Sequence, residues 1–217
     1  MGITDKPESF LNFVKTRRSE RKMWPGVIPR AELELIVECG LWAPSASNQQ
    51  PWHFAVITRR ALVRELAAAV GARLADVRAG IRSSSAERSF DGYTRYFTFF
   101  QDASALICVF VEPYRGLLER ILTRYAPDVA ANVGSNASCL SVAAACQNVL
   151  LAAHALGYPA CWLTGPLIAR EEFEKAAKPA GDWELASVIA VGRREPGQEP
   201  PRAVPRRDAA ETVSFIE

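Results

Sequence analysis

Two clusters in this sequence have the residue types and spacing to do chemistry. The first is Arg17-Arg18-Ser19-x-Arg21, three guanidinium groups and a hydroxyl within five residues. Guanidinium groups bind phosphate through charge-assisted, often bidentate bonds, and a serine hydroxyl adds another donor. Such bonds are worth roughly 1.5–3 kcal/mol each, enough together to anchor a mononucleotide. The same residues also suit a solvated basic helix end that complements the helix dipole. The second cluster is Ala43-Pro44-Ser45-Ala46-Ser47-Asn48-Gln49-Gln50-Pro51-Trp52. A loop rich in amides and pinned by prolines can offer donors and acceptors to the carbonyls and ring NH of a flat heterocycle. Trp52 would add an apolar surface. A plain turn between helix and strand has the same composition. Each cluster alone is ambiguous.

Other chemistries lack their residues. No GxGxxG follows a strand, and there is no GxxxxGK[ST] and no GxSxG elbow. His53 and His154 are the only histidines, which argues against a histidine-based zinc site. Cys39, Cys108, Cys139, Cys146 and Cys161 are odd in number and lack CxxC spacing, so they read as reduced core cysteines rather than metal ligands or disulfides. If the chain is an enzyme, a cofactor carries the hard step.

The elements that must hold the clusters follow from periodicity. Residues 7–16 predict an amphipathic helix starting at Pro7, with Phe10, Leu11 and Val14 on one side. A second helix opens at Pro29 and ends by Pro44. Strands are expected at 53–58, 104–112, 159–164 and 185–192, and further helices at about 60–80, 136–156 and 169–177. Residues 82–92 (RSSSAERSFDG) have loop composition, and an aromatic patch runs from Tyr93 to Phe100. From Arg193 a tail rich in Pro, Arg and Glu runs to Thr212–Ile216, read as crossing a surface, its own or a partner's, and ending as an added strand.

Residues 137–156 are uncharged and long enough to span a bilayer. Weakly hydrophobic alanines, the interruptions Gln147, Asn148 and His154, and the lack of aromatic or basic flanks favour a helix buried on all sides. Burying it fully is easier if a second subunit covers one face. With 217 residues, 49% hydrophobic and a formal charge of +2, the chain suits one globular α/β or α+β domain and gives no sign of nucleic-acid binding. No apolar signal core or myristoylation pattern is read at the N-terminus, so the expected location is cytoplasmic, without membrane or metal partners.

Taken in order, R-R-S-x-R, a short helix, A-P-S-A-x-N-x-Q-P-W and a strand resemble the FMN-dependent nitroreductase superfamily. Residues 144–165 (AACQNVLLAAHALGYPACWLTG) are similar to that family's central helix and following strand, and the likeness extends more weakly through Val191-Gly192 and the Arg-rich tail. About residues 78–100 and 113–133 stay unplaced. The resemblance implies a nitroreductase-like three-layer α+β sandwich, with a central, mainly antiparallel sheet flanked by helices. It also implies an interlocked homodimer with two FMN sites at its interface. The chain would be one domain over 1–217, with residues 194–217 extending over the partner subunit. Arg17, Arg18, Ser19 and Arg21 would hold the phosphate and ribityl chain. Pro44, Ser45, Ala46 and Asn48 would approach the flavin from the other subunit. Thr164 and Gly165 would lie along the ring edge near N5, and one or both of Arg206 and Arg207 would complete the phosphate clamp. Thr164 stands where some members carry an acidic residue, which bears on substrate preference. The family's substrate-gating aromatic is not placed: Tyr93, Tyr96, Phe97, Phe99 and Phe100 are candidates, against a plain core role for most.

The implied activity is ping-pong transfer of hydride from NAD(P)H, through flavin N5, to a small electron-poor oxidant: a nitroaromatic, quinone or enone. No side chain need act as a strong acid or base. Two alternatives stay open. One is a flavin-dependent relative that does not use NAD(P)H, such as a dehalogenase or azoline dehydrogenase; the other is a non-catalytic, flavin-binding or flavin-free dimer.

Overall fold

The computed structural model describes residues 7–112, 116–133 and 137–216; the N-terminal residues read for targeting signals lie outside these. In chain order the elements are α1 (Pro7–Thr16), α2 (Arg30–Leu41), β1 (Trp52–Ile57), α3 (Arg60–Gly80), α4 (Ser84–Thr94), β2 (Ala105–Val111), α5 (Leu117–Tyr125), α6 (Pro127–Val133), α7 (Ala137–Ala155), β3 (Ala160–Leu163), α8 (Arg170–Ala177), β4 (Glu184–Val191) and α9 (Ala209–Thr212). Short 3-10 turns stand at Ala46–Asn48, Phe99–Asp102 and Gly165–Ala169.

The strands form one sheet in the order β1-β2-β4-β3, every neighbouring pair antiparallel. Both faces are covered, so β2 is apolar along nearly its whole length instead of alternating. Its side chains divide by the strand period of two. Leu106, Cys108 and Phe110 join Val63, Val70, Phe100 and Phe173 in the layer under α3 and α8. Ala105, Ile107 and Val109 join Ile36, Val149 and Ile189 under α2 and α7. The result is the expected three-layer α+β sandwich.

Helix α7 ends where Gly157 takes a left-handed conformation (φ 79°), with Tyr158 N–H donating to Ala153 C=O at 2.9 Å. Among the described residues it is the one helix long and apolar enough to cross a bilayer by length and composition. Nine of its residues are buried here, while Cys139 and Leu140 are exposed, so one side lacks cover among the described residues.

Two expectations need correction. Residues 84–94 form helix α4 rather than a loop, because Ser83 caps the first turn and Arg78 on α3 draws Glu87 (3.0 Å) and Asp91 (2.8 Å) to one side. The cysteines are not uniformly core: burial raises Cys108 to about 12 and Cys146 to about 11, yet Cys139 is exposed. In the tail, Asp208 caps a single helical turn at Ala209–Thr212, and residues 213–216 pair with no strand among the described residues.

Candidate functional site

After α1 the chain runs extended between the end of α7 and the sheet edge. Thr16 Oγ1 shares a hydrogen bond with His154 Nε2 (3.0 Å), and the Phe13 and His154 rings lie 4.9 Å apart. Glu20 N–H donates to Ala160 C=O at the start of β3 (3.0 Å), and Trp24 N–H to Arg193 C=O (2.7 Å). Arg17, Arg18, Ser19 and Arg21 are therefore held along β3, not left as a free helix end. Burial raises the Cys161 thiol; Arg21, the Ser19 hydroxyl and Arg17, all facing it, oppose that shift.

The residue between these donors is itself buried. Glu20 is 3% exposed and takes a two-pronged ion pair from Arg194, Nη2 at 2.6 Å and Nε at 3.0 Å, while Arg194 Nη1 donates to Gly157 C=O. Arg18 Nη1 donates to the carbonyls of Lys15 and Arg17. Arg17 Nη1 and Arg18 Nε are buried and have no hydrogen-bond partner. An unpaired buried cationic donor is costly, and a phosphate would satisfy both. The local field has the matching sign. Burial lowers the His154 pKa, Arg194, Arg17 and Arg18 lower it further, and only Glu20 opposes them.

At the other end of β3 a cavity of about 420 Å³ opens beside Arg21, Thr164 and Gly165. Thr164 leads into the turn that follows the strand. Gly165 has no room for a side chain, because a Cβ there would meet the Phe97 ring at 2.8 Å. Of the five candidate aromatics, Tyr93, Tyr96 and Phe97 line the cavity, Phe100 is fully buried in the core and Phe99 is half-buried against it.

The amide-rich loop lies elsewhere. Ser45 Oγ accepts from Gln50 N–H (2.9 Å), and Ala46 N–H donates to Ser141 Oγ (3.2 Å) near the start of α7. Ser47, Asn48 and Gln50 all have positive φ, near 50°. Left-handed backbone at non-glycine residues costs roughly 1 kcal/mol or more each and tends to persist at functional sites. Ser141 and His154 are thirteen residues apart on one helix, about 20 Å at ~1.5 Å per residue. Within one chain, then, Arg17, Arg18, Ser19 and Arg21 follow one another along β3, and Arg21 lines the cavity with Thr164 and Gly165, while Pro44, Ser45, Ala46 and Asn48 sit at the far end of α7. Trp52 is a core residue, 6% exposed, and not a site surface. Arg206 and Arg207 are exposed and make no hydrogen bond or ion pair among the described residues. The Glu20–Arg194 pair escaped the sequence reading; its only signal was one acid inside a run of cations.

The profile of the Nitroreductase family matches residues 14–193. A protein of Archaeoglobus fulgidus, provisionally named NADH dehydrogenase/NAD(P)H nitroreductase, is 30% identical over 174 residues, covering 79% of this chain and 75% of its own. Among solved structures, a BluB-like flavoprotein from Clostridium difficile 630 superposes with a TM-score of 0.83 at 24% identity, covering 96% of this chain and 99% of its own. A nitroreductase with bound FMN from Desulfitobacterium hafniense DCB-2 reaches 0.70 at 21% identity, covering 95% and 97%.

Proposed function

The chain belongs to the nitroreductase family, and from that premise we propose that it is an FMN-dependent oxidoreductase acting as an interlocked homodimer on NAD(P)H and a small nitroaromatic, quinone or enone. The observation that carries this reading is the pair of buried, unpartnered donors Arg17 Nη1 and Arg18 Nε on the segment that leads to Arg21, which lines a cavity with Thr164 and Gly165. The donor set fits a phosphate and the cavity fits part of a flat ring system.

Bound FMN would supply the redox chemistry, accepting hydride at N5 from the nicotinamide and passing it to the acceptor in a ping-pong cycle. Arg17, Arg18, Ser19 and Arg21 would hold the phosphate and ribityl chain. The backbone at Thr164 and Gly165 would fix the ring edge, where an N–H dipole favours added negative charge. Pro44, Ser45, Ala46 and Asn48 would approach the ring from the partner subunit, a role supported by their distance from Arg17 and Arg18 along α7. Arg206 or Arg207 would join the clamp as residues 194–217 cross the partner. That path is supported by Phe215 and Ile216, 90% and 96% exposed, which find no cover among the described residues.

Steady-state oxidation of NADPH or NADH by menadione or nitrofurazone, measured with FMN-loaded protein, tests the reading. Parallel double-reciprocal lines are expected. Intersecting lines would contradict the ping-pong order, and no oxidation of either nicotinamide would contradict the donor.

A further inference from the structure

Tyr96, which lines the cavity with Thr164 and Gly165, holds two guanidinium groups, and only Arg21 of the two is assigned to the cofactor. Arg95 follows the last residue of α4 and places its guanidinium 4.5 Å from the centre of the Tyr96 ring, with Nη2 donating to the Tyr96 hydroxyl. Arg21 lies 5.6 Å from the centre of the same ring. Neither arginine has a carboxylate partner among the described residues. The nearby acids of α4, Glu87 and Asp91, are both taken by Arg78. Among the described residues no Asp or Glu lines the cavity, and Tyr93, Phe97 and Trp162 give it aromatic walls.

Two guanidinium groups on one tyrosine are each held by attraction to the ring, yet they repel one another. An anion entering between aromatic walls relieves that repulsion, and its own flat body gains stacking surface. We propose that this cavity takes a planar aromatic carboxylate as its second ligand, with Arg95 as the residue that selects for the negative charge. The proposal that this ligand is the electron acceptor rests on the oxidoreductase reading above; its binding does not. Arg21 is shared with the cofactor, so the selectivity falls to Arg95.

The test is calorimetric titration of the FMN-loaded protein with 4-nitrobenzoate and with its methyl ester, using wild type and Arg95→Gln. The carboxylate should bind about fivefold more tightly than the ester at low salt, a preference that shrinks with added salt. Arg95→Gln should bring the two ligands within about twofold while leaving FMN content after desalting unchanged. Equal binding in the wild type, or a preference that survives Arg95→Gln, overturns the proposal, as does loss of FMN with the preference intact. NAD(P)H-driven reduction of the same two compounds separates the two readings. Selective binding without reduction keeps the anion site and refutes the acceptor chemistry. Reduction of both without preference keeps the chemistry and refutes the role of Arg95.

Discussion

The carboxylate of Glu20 and the guanidinium of Arg194, 174 residues apart, meet in a two-pronged ion pair at 2.6 and 3.0 Å. This pair ties the phosphate-type donor segment to the chain leaving β4, and Trp24 with Arg193 continues the contact as a β-bridge. Glu20→Gln removes the charge and keeps the shape. Because Glu20 is buried and its partner partly so, we expect a loss of about 2 kcal/mol, read as a lower urea midpoint at unchanged slope. An unchanged midpoint would show that the pair is structurally idle.

The Phe97 ring lies where a side chain on Gly165 would be. Gly165→Ala should push that ring into the cavity, slowing nicotinamide-driven bleaching of bound flavin more than it lowers flavin content. Adding Phe97→Leu should restore the rate by giving the new methyl room. If the double variant is no faster than the single one, the two positions are not coupled.

Arg17→Ala/Arg18→Ala removes the two unpartnered donors. The FMN dissociation constant, followed by flavin fluorescence, should rise roughly 10- to 100-fold. Unchanged retention would refute the assigned phosphate site.

His154 is held below the ordinary histidine value of 6.5 by burial first, then by Arg194, Arg17 and Arg18, with Glu20 opposing. A base with a depressed folded-state pKa stays neutral in the fold while the unfolded chain takes up a proton. Its contribution to stability is therefore complete above the unfolded value and is lost as pH falls through 6.5 towards the folded value. The melting temperature of His154→Asn should fall less than that of the wild type between pH 7.5 and 5.5. Parallel curves would contradict this.

Strands and long helices were legible because their patterns are continuous: β2 is apolar throughout, and α3 runs 60–80 as its periodicity predicts. Helix α4 was not, because RSSSAERSFDG carries turn residues and its helical state depends on Arg78 of another helix. The aromatic patch could not be divided by sequence. The end of α4 and the following 3-10 turn send Tyr93, Tyr96 and Phe97 to the cavity and Phe100 to the core, a rotation that a run of aromatic residues does not encode. Both donor clusters were recognisable by residue type. Their separation along α7 was not, since it arises from tertiary packing of Thr16 and Ala46 against the two ends of one helix.

The most direct measurement is the visible spectrum of the purified, desalted protein, followed by anaerobic addition of NADPH and then NADH. The expected result is a flavin spectrum, present as isolated or after incubation with FMN, that bleaches with at least one nicotinamide. A protein that takes up no FMN, or a bound flavin that dithionite reduces and neither nicotinamide does, would contradict it.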